Sequence, residues 1–171
     1  MKKYIVLHHS AIADEKPQAE RIRKEHMKKF GQAGTYHYFI GRNGMIAQFQ
    51  DEDFVSYHAG NWLMNKESIA ICLAGDLRKG IQEPTAQQID TLNDLVKDIK
   101  ARRKIEKVYL HSEVRDSPTA CPGRDLREFI YDVEIVIPKS LPALINALKW
   151  AQGMRRRTIE RLIKRLSTSP Q

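Results

Sequence analysis

The sequence predicts an α/β fold in which a mixed central β-sheet is flanked by helices. Short apolar runs at Tyr4–Leu7, Ser68–Leu73 and Val108–Leu110 have the length and composition of buried strands. Helical periodicity fills Asp14–Phe30 and Thr85–Arg103. A hairpin signal, Arg42-Asn43-Gly44, joins two further strand-like runs, Gly34–Ile40 and Met45–Phe49.

The first strand ends in His8-His9-Ser10. Alternate residues of a strand share a face, so His8 lies with Tyr4 and Val6 while His9 faces the other way and reads as a partly buried sheet residue. The helix over Asp14–Phe30 takes Asp14 as its N-cap, Pro17 in its first turn and Gly31 as its stop. Ile22, His26 and Phe30 repeat every four residues with Met27 beside them, which makes His26 a hydrogen-bonded packing residue. In the second strand Tyr36 and His37 point to opposite faces. Tyr57–Trp62 reads as a loop, and Ser68–Leu73 as a central strand whose Cys72 is a small buried hydrophobe. The helix over Thr85–Arg103 carries the strongest signal. Thr85 and Gln88 form a capping box, and Ile89, Leu92, Val96 and Ile99 recur at helical spacing with Leu95 alongside. A short helix follows at Asp125–Tyr131. Leu144, Ile145 and Leu148, then Ile159, Leu162, Ile163 and Leu166, form two apolar stripes separated at Gly153. The chain therefore divides into a domain over 1–133 and a helical, basic and amphipathic extension over 134–171.

Length and composition limit the classes available. The 171 residues are 42% hydrophobic and 29% charged, enough for one well-packed domain. Cys72 and Cys121 are too few for a disulfide framework, and neither is expected to pair. Met1-Lys2-Lys3 precedes only four apolar residues, too short a run for a signal peptide, and no stretch has the length of a membrane span. Synthesis in the cytoplasm without a signal peptide is the expectation, with release by another agent if the substrate lies outside. The net charge of +8 favours polyanionic partners. Between Arg155 and Gln171 there are six basic residues against Glu160 alone. The stripe they back is a basic amphipathic helix suited to an anionic membrane or outer-envelope surface, or equally a docked helix with a solvated charged face. No nucleic acid is expected, since the tail lacks interleaved aromatics and matches no recognition motif.

The chemistry gathers between Leu110 and Gly123. His111 follows the strand Val108–Leu110, and after a loop containing Asp116, Ser117 and Pro118 comes Cys121, fixed by Pro122 and Gly123. Imidazole and thiolate are good ligands for zinc. Two ligands do not make a site, and the end of the first strand offers a third in His8 or His9, between which strand parity alone does not choose. Two His and one Cys leave one tetrahedral position open, the arrangement of a catalytic centre.

Five pieces of the sequence then match one family in order: Val6-Leu7-His8-His9-Ser10; Thr35–Ile40 with Arg42-Asn43-Gly44; His58-Ala59-Gly60; Asn65 with Ser68–Gly75; and His111–Gly123. Over roughly Met1–Ile130 the chain resembles the zinc-dependent N-acetylmuramoyl-L-alanine amidases, which include small phage lysozymes of the amidase type and the peptidoglycan recognition proteins. The resemblance implies that fold, a zinc ion (Zn2+) held by His8, His111 and Cys121, and hydrolysis of the amide between N-acetylmuramic acid and L-alanine. It places Tyr36 beside the zinc water, where a phenol can donate to the water or the oxyanion; the alternative is a tyrosine closing the core. Two residues before the cysteine some phage members have lysine, whereas this chain has Thr119, a neutral donor, in a longer His-to-Cys loop carrying Arg115 and Asp116. The composition of the loop Tyr57–Trp62 suits a glycan- or peptide-contacting rim, with Trp62 as a contact or as partial packing. The resemblance adds His58, Asn65 and His37 to the substrate side, His37 reading rather as a structural residue or one that supports a ligand, and Glu113 is read as structural. The partner implied is peptidoglycan, glycan and stem peptide, met by a monomer acting on the cell wall after release, as a phage or prophage endolysin in host lysis. The competing readings are a cytoplasmic muropeptide-recycling amidase and a non-catalytic peptidoglycan-binding module, the latter disfavoured by the presence of Cys121.

Overall fold

The computed structural model describes residues 1–31 and 36–131. The expected helices and stripes of 134–171, and the start of the expected strand at Gly34 and Thr35, lie outside them. Five strands form one mixed sheet: β1 (Tyr4–His9), β2 (Tyr38–Ile40), β3 (Ile46–Gln48), β4 (Ser68–Leu73) and β5 (Lys107–Leu110). Their order is β3-β2-β4-β1-β5. β1 pairs in parallel with β4 and β5, β2 pairs in parallel with β4, and only β2 and β3 are antiparallel, joined by the expected hairpin. In that turn Asn43 Oδ1 accepts from Met45 N–H at 3.1 Å, and Gly44 adopts a left-handed φ of 80°.

Strand parity separates a structural face from a chemical one. Ile5 and Leu7 of β1, Ile69, Ile71 and Leu73 of β4, and Tyr38 and Ile40 of β2 pack against Leu92, Leu95, Val96 and Ile99 of helix α3 (Ala86–Arg102) to form the main core. Each fully buried aliphatic side chain contributes roughly 1.5–3 kcal/mol. The capping box at Thr85 forms as the sequence predicts, with Thr85 Oγ1 accepting from Gln88 N–H and Gln88 Oε1 from Thr85 N–H, each at 3.1 Å. On the opposite face His8, Phe39 and Cys72 stand in register, backed by Ile22 of helix α1 (Ala19–Phe30).

Helix α1 starts later than its sequence suggests. Asp14 Oδ1 accepts from Lys16 N–H, and the buried Gln18 side chain holds the preceding loop, donating to the carbonyls of Ile12 and Asp14 and accepting from Ser10 Oγ at 2.6 Å. These local bonds compete with the first helical turns, so Asp14 is no N-cap. Only Ile22 of the expected stripe is buried; Phe30 and Met27 are exposed and His26 half-buried, its ring 5.2 Å from that of Tyr36. The ladder of β2 begins at Tyr38, although His37 N–H already donates to Ala70 C=O. Helix α2 (Trp62–Glu67) falls where the sequence reads as loop into strand; Asn61 caps it, accepting from Met64 N–H at 3.1 Å. His111–Val114 form a single turn, α4, and Leu126–Phe129 a 3-10 turn inside the expected Asp125–Tyr131 helix. Both cysteines are free. At the other end of the sheet the buried Glu52 receives Tyr38 Oη at 2.7 Å and the guanidinium groups of Arg102 and Arg103.

Candidate active site

Three donors meet on the chemical face at the end of β1. His8 belongs to that strand, His111 opens the turn that follows β5, and Cys121 returns on the loop after it. One ligand atom from each lies within 4.8 Å of the other two, and His8 Nδ1 stands 3.8 Å from Cys121 Sγ. A tetrahedral zinc at about 2.0–2.3 Å from each donor sets them about 3.3–3.6 Å apart, so His8 and Cys121 stand within a few tenths of an ångström of that spacing and a pair as far apart as 4.8 Å closes by about 1.2–1.5 Å. Among the described residues neither buried ring nitrogen of His111 has a partner in hydrogen-bonding geometry, an arrangement that costs free energy unless a lone pair is used by something else. The adjacent Ala59 carbonyl and solvent-starved surroundings act in opposite senses on that ring. Burial dominates and pushes it down to about 4, so it is a neutral donor at neutral pH. Burial and the neighbouring His111 and His58 rings hold His8 well below its ordinary value too. Burial raises the Cys121 thiol to about 12, against the help of a bond from His9 N–H to Sγ at 3.4 Å. Such a thiol becomes thiolate only beside a cation. The donor set therefore fits zinc.

His9 faces the main core, where Nδ1 accepts from Leu77 N–H at 3.0 Å. The Cys121 loop is fastened from below. Arg124 donates to the Leu77 carbonyl at 2.9 Å and pairs with Glu83, while Glu113 accepts from Leu110 N–H at 2.8 Å and pairs with Arg127. Glu113 is thus structural. Gly123, at φ 86°, lies so close to the Leu77–Arg78 backbone that a Cβ would sit 2.6 Å from Arg78 N. On its outer side the longer loop docks on the His58-Ala59-Gly60 segment. Asn61 Nδ2 donates to Asp116 Oδ1 at 2.6 Å, and Arg115 lies across Gly60.

The ring of Tyr36 lies 5.0 Å from that of His8. Burial and the nearby Cys72 and Cys121 thiols keep its phenol protonated far into alkaline pH, hence a donor. Thr119 Oγ1 accepts from Cys121 N–H at 3.2 Å, which orients the cysteine and leaves the hydroxyl proton free to donate elsewhere. Trp62 is 63% exposed, beside the exposed Tyr57 at 6.2 Å between ring centroids.

Three expected rim residues belong to the interior instead. His37 is fully buried; its Nδ1 accepts from Ala70 N–H at 2.9 Å and its Nε2 meets the Phe54 carbonyl at 3.0 Å, so no nitrogen is left for a substrate. Asn65 is buried with Oδ1 accepting from the N–H groups of His58 and Ala59 at 3.0 and 2.7 Å. His58 is buried between His8 and Ser68, with Nδ1 3.0 Å from His8 Nε2 and Nε2 3.1 Å from Ser68 Oγ. Ser68, which no motif reasoning singled out for function, is the residue missed. The His58-Ala59-Gly60, Asn65 and Ser68 pieces share one cause, since all converge behind His8.

The profile of the N-acetylmuramoyl-L-alanine amidase family matches residues 2–124. The chain belongs to the N-acetylmuramoyl-L-alanine amidase family. It is 30% identical over 118 residues to an endolysin of Enterobacteria phage K11, covering 67% of this chain and 76% of the relative. Among solved structures, the N-acetylmuramoyl-L-alanine amidase LysC from Clostridium intestinale URNW superposes with a TM-score of 0.64 at 25% identity, covering 75% of this chain and 82% of that one. A Drosophila PGRP-LB variant in complex with tracheal cytotoxin superposes with a TM-score of 0.57 at 25% identity, covering 71% and 75%. The fold built on this mixed five-stranded sheet is thus similar to those of a solved amidase and a solved recognition protein.

Proposed function

We propose that this amidase binds zinc through His8, His111 and Cys121 and cleaves the amide between N-acetylmuramic acid and L-alanine as a phage or prophage endolysin. The observation that carries the zinc reading is the meeting of these three donors, with the His111 nitrogens otherwise unpartnered. When bound there, zinc would acidify a water and polarise the amide carbonyl. The protein's own contribution is directional. Tyr36, neutral and 5.0 Å from His8 between rings, donates its phenolic proton toward the oxygen on which charge develops. Thr119 orients Cys121 through its backbone and adds a neutral donor in place of a cation. His8 and His111, kept unprotonated by burial, offer lone pairs across the neutral pH range. Trp62 and Tyr57 present aromatic faces at the rim to the glycan or stem peptide.

The endolysin role is supported by the phage relative, and the tracheal cytotoxin, a monomeric diaminopimelic acid-type peptidoglycan, held by the similar PGRP-LB structure supports peptidoglycan as partner. Among the described residues no helix is long and apolar enough to cross a membrane. We further read 134–171 as a basic amphipathic extension that engages the anionic envelope, with the protein acting as a monomer on the wall after release. The basic excess beyond Arg155 supports that reading. The test is metal analysis of the purified chain together with release of stem peptides from isolated sacculi, with and without a chelator. About one zinc per chain and chelator-sensitive release of a free L-alanine amine are expected. Zinc without cleavage points to a recognition module, cleavage of soluble muropeptides alone points to recycling, and no zinc overturns the metal site. Truncation after Gly153 should spare cleavage of purified wall and weaken action on whole cells.

A further inference from the structure

We propose that His58, Ser68 and the Met64 carbonyl form a positioning relay that fixes which nitrogen of His8 faces the metal position. Ser68 Oγ lies 2.5 Å from the Met64 carbonyl and 3.1 Å from His58 Nε2, and His58 Nδ1 lies 3.0 Å from His8 Nε2. A carbonyl only accepts, so the Ser68 hydroxyl donates to Met64. Its oxygen is then left to accept, which puts the proton of His58 on Nε2 and makes His58 Nδ1 an acceptor. His8 must therefore carry its proton on Nε2, and its Nδ1 lone pair is turned to Cys121, 3.8 Å away. One backbone carbonyl, at the far end of a chain of three side chains, sets the tautomer of a strand histidine.

The relay is itself held rigid. All three side chains are buried, at 1% exposure for His8, 8% for His58 and 0% for Ser68. Asn65 Oδ1 clamps the N–H groups of His58 and Ala59, so the segment His58–Ser68 grips the imidazole by its backbone and by its ring. Partners of this kind raise ligand basicity and remove the entropy of ring rotation, and their loss typically costs about ten- to a hundredfold in metal affinity. His58 is thus a positioning residue, and it touches neither substrate nor reacting atoms.

This inference rests on zinc binding at His8, and its test separates the two. Zinc affinity of the full chain is measured by chelator competition, and long-range proton–nitrogen spectra of the zinc-loaded protein locate the imidazole protons. Protons on Nε2 of both His8 and His58 are expected; a proton on Nδ1 of either overturns the relay. His58→Leu should weaken zinc about ten- to a hundredfold. His58→Asn, whose Oδ1 stands near the place of Nδ1, should recover most of that loss. Ser68→Ala, the variant least able to disturb folding, should weaken zinc several-fold without changing the near-ultraviolet circular dichroism. Unchanged affinity in Ser68→Ala, or an Asn variant no better than Leu, overturns the relay in a parent that binds zinc. A parent that binds none overturns the metal reading and the relay with it.

Discussion

Gly123 and Gly80 offer a matched pair for testing how the Cys121 loop is held. Both adopt φ 86°, but a Cβ on Gly80 meets nothing within 4 Å, whereas one on Gly123 sits 2.6 Å from Arg78 N and 2.8 Å from Leu77 C. Replacing either by alanine costs the left-handed penalty of about 1–2 kcal/mol. At Gly123 the loop must in addition retreat from backbone that has little freedom to yield. Regaining ordinary contact at 3.4 Å takes a shift of about 0.8 Å, and overpacking of this order typically adds about 1–3 kcal/mol. The expected gap between Gly123→Ala and Gly80→Ala is thus about 1–3 kcal/mol, a Tm difference of about 4–12 °C in thermal unfolding. The same retreat carries Cys121, two residues upstream, beyond the roughly 0.2 Å that metal–ligand distances tolerate. Zinc affinity measured by chelator competition should fall about tenfold or more in Gly123→Ala and stay at the parent value in Gly80→Ala. Equal Tm and equal zinc affinity in the two variants would refute the close approach.

Tyr36→Phe should retain zinc while lowering kcat by about 10²–10³-fold, the usual loss for one donor to a developing oxyanion, measured as peptide release from sacculi. Cys121→Ser should lose both zinc and turnover; unchanged activity would sink the metal assignment. Trp62→Ala should raise KM with kcat little changed if the exposed ring grips substrate in ground and transition states alike. Glu52 supplies a pH test. Burial raises its carboxyl, but the bonds from Arg102, Tyr38 and Arg103 outweigh this and hold it at about 2, below its ordinary 4.5. A depressed folded-state value stabilises the fold fully above about 4.5 and loses that contribution as pH falls toward 2. The effect amounts to about 1–3 kcal/mol after discounting for the solvent that reaches Arg102. Urea midpoints between pH 6 and 3 should therefore fall in the parent and stay flatter in Glu52→Gln.

What was legible in the chain follows from the range of the forces involved. The capping box at Thr85 and Gln88, the Asn43-Gly44 turn and the parity that separates His8 from His9 are local, and each stands as its residues suggest. The start of α1 failed because Gln18 spends its amide on carbonyls four and six residues back, a competition invisible to helical periodicity. Helix α2 has only six residues, too few to leave a periodic trace, and its one signal was Asn61 as cap. Placing His58 and Asn65 at the substrate rim failed for a different reason, while His37 took the structural role its sequence reading favoured. Polar side chains between small and aromatic residues look the same whether they face solvent or a buried partner fifty residues away. Only the pairing of β1 with β4 brings Ser68 level with Tyr4 and His58 behind His8.

The strand order also governs when the protein becomes competent during its own synthesis. Of the described strands β1 is made first, yet it is sandwiched between β4 and β5, which are made roughly sixty and a hundred residues later. Until β4 appears, the apolar β1 has no neighbour on either edge, and His8 waits longer still for Cys121. Nascent chains cut short before β4 therefore hold an unpaired hydrophobic strand, the kind of exposure that recruits chaperones. The proposed metal site closes only once Cys121 has emerged, so a product cut short before that residue is inert rather than partly active.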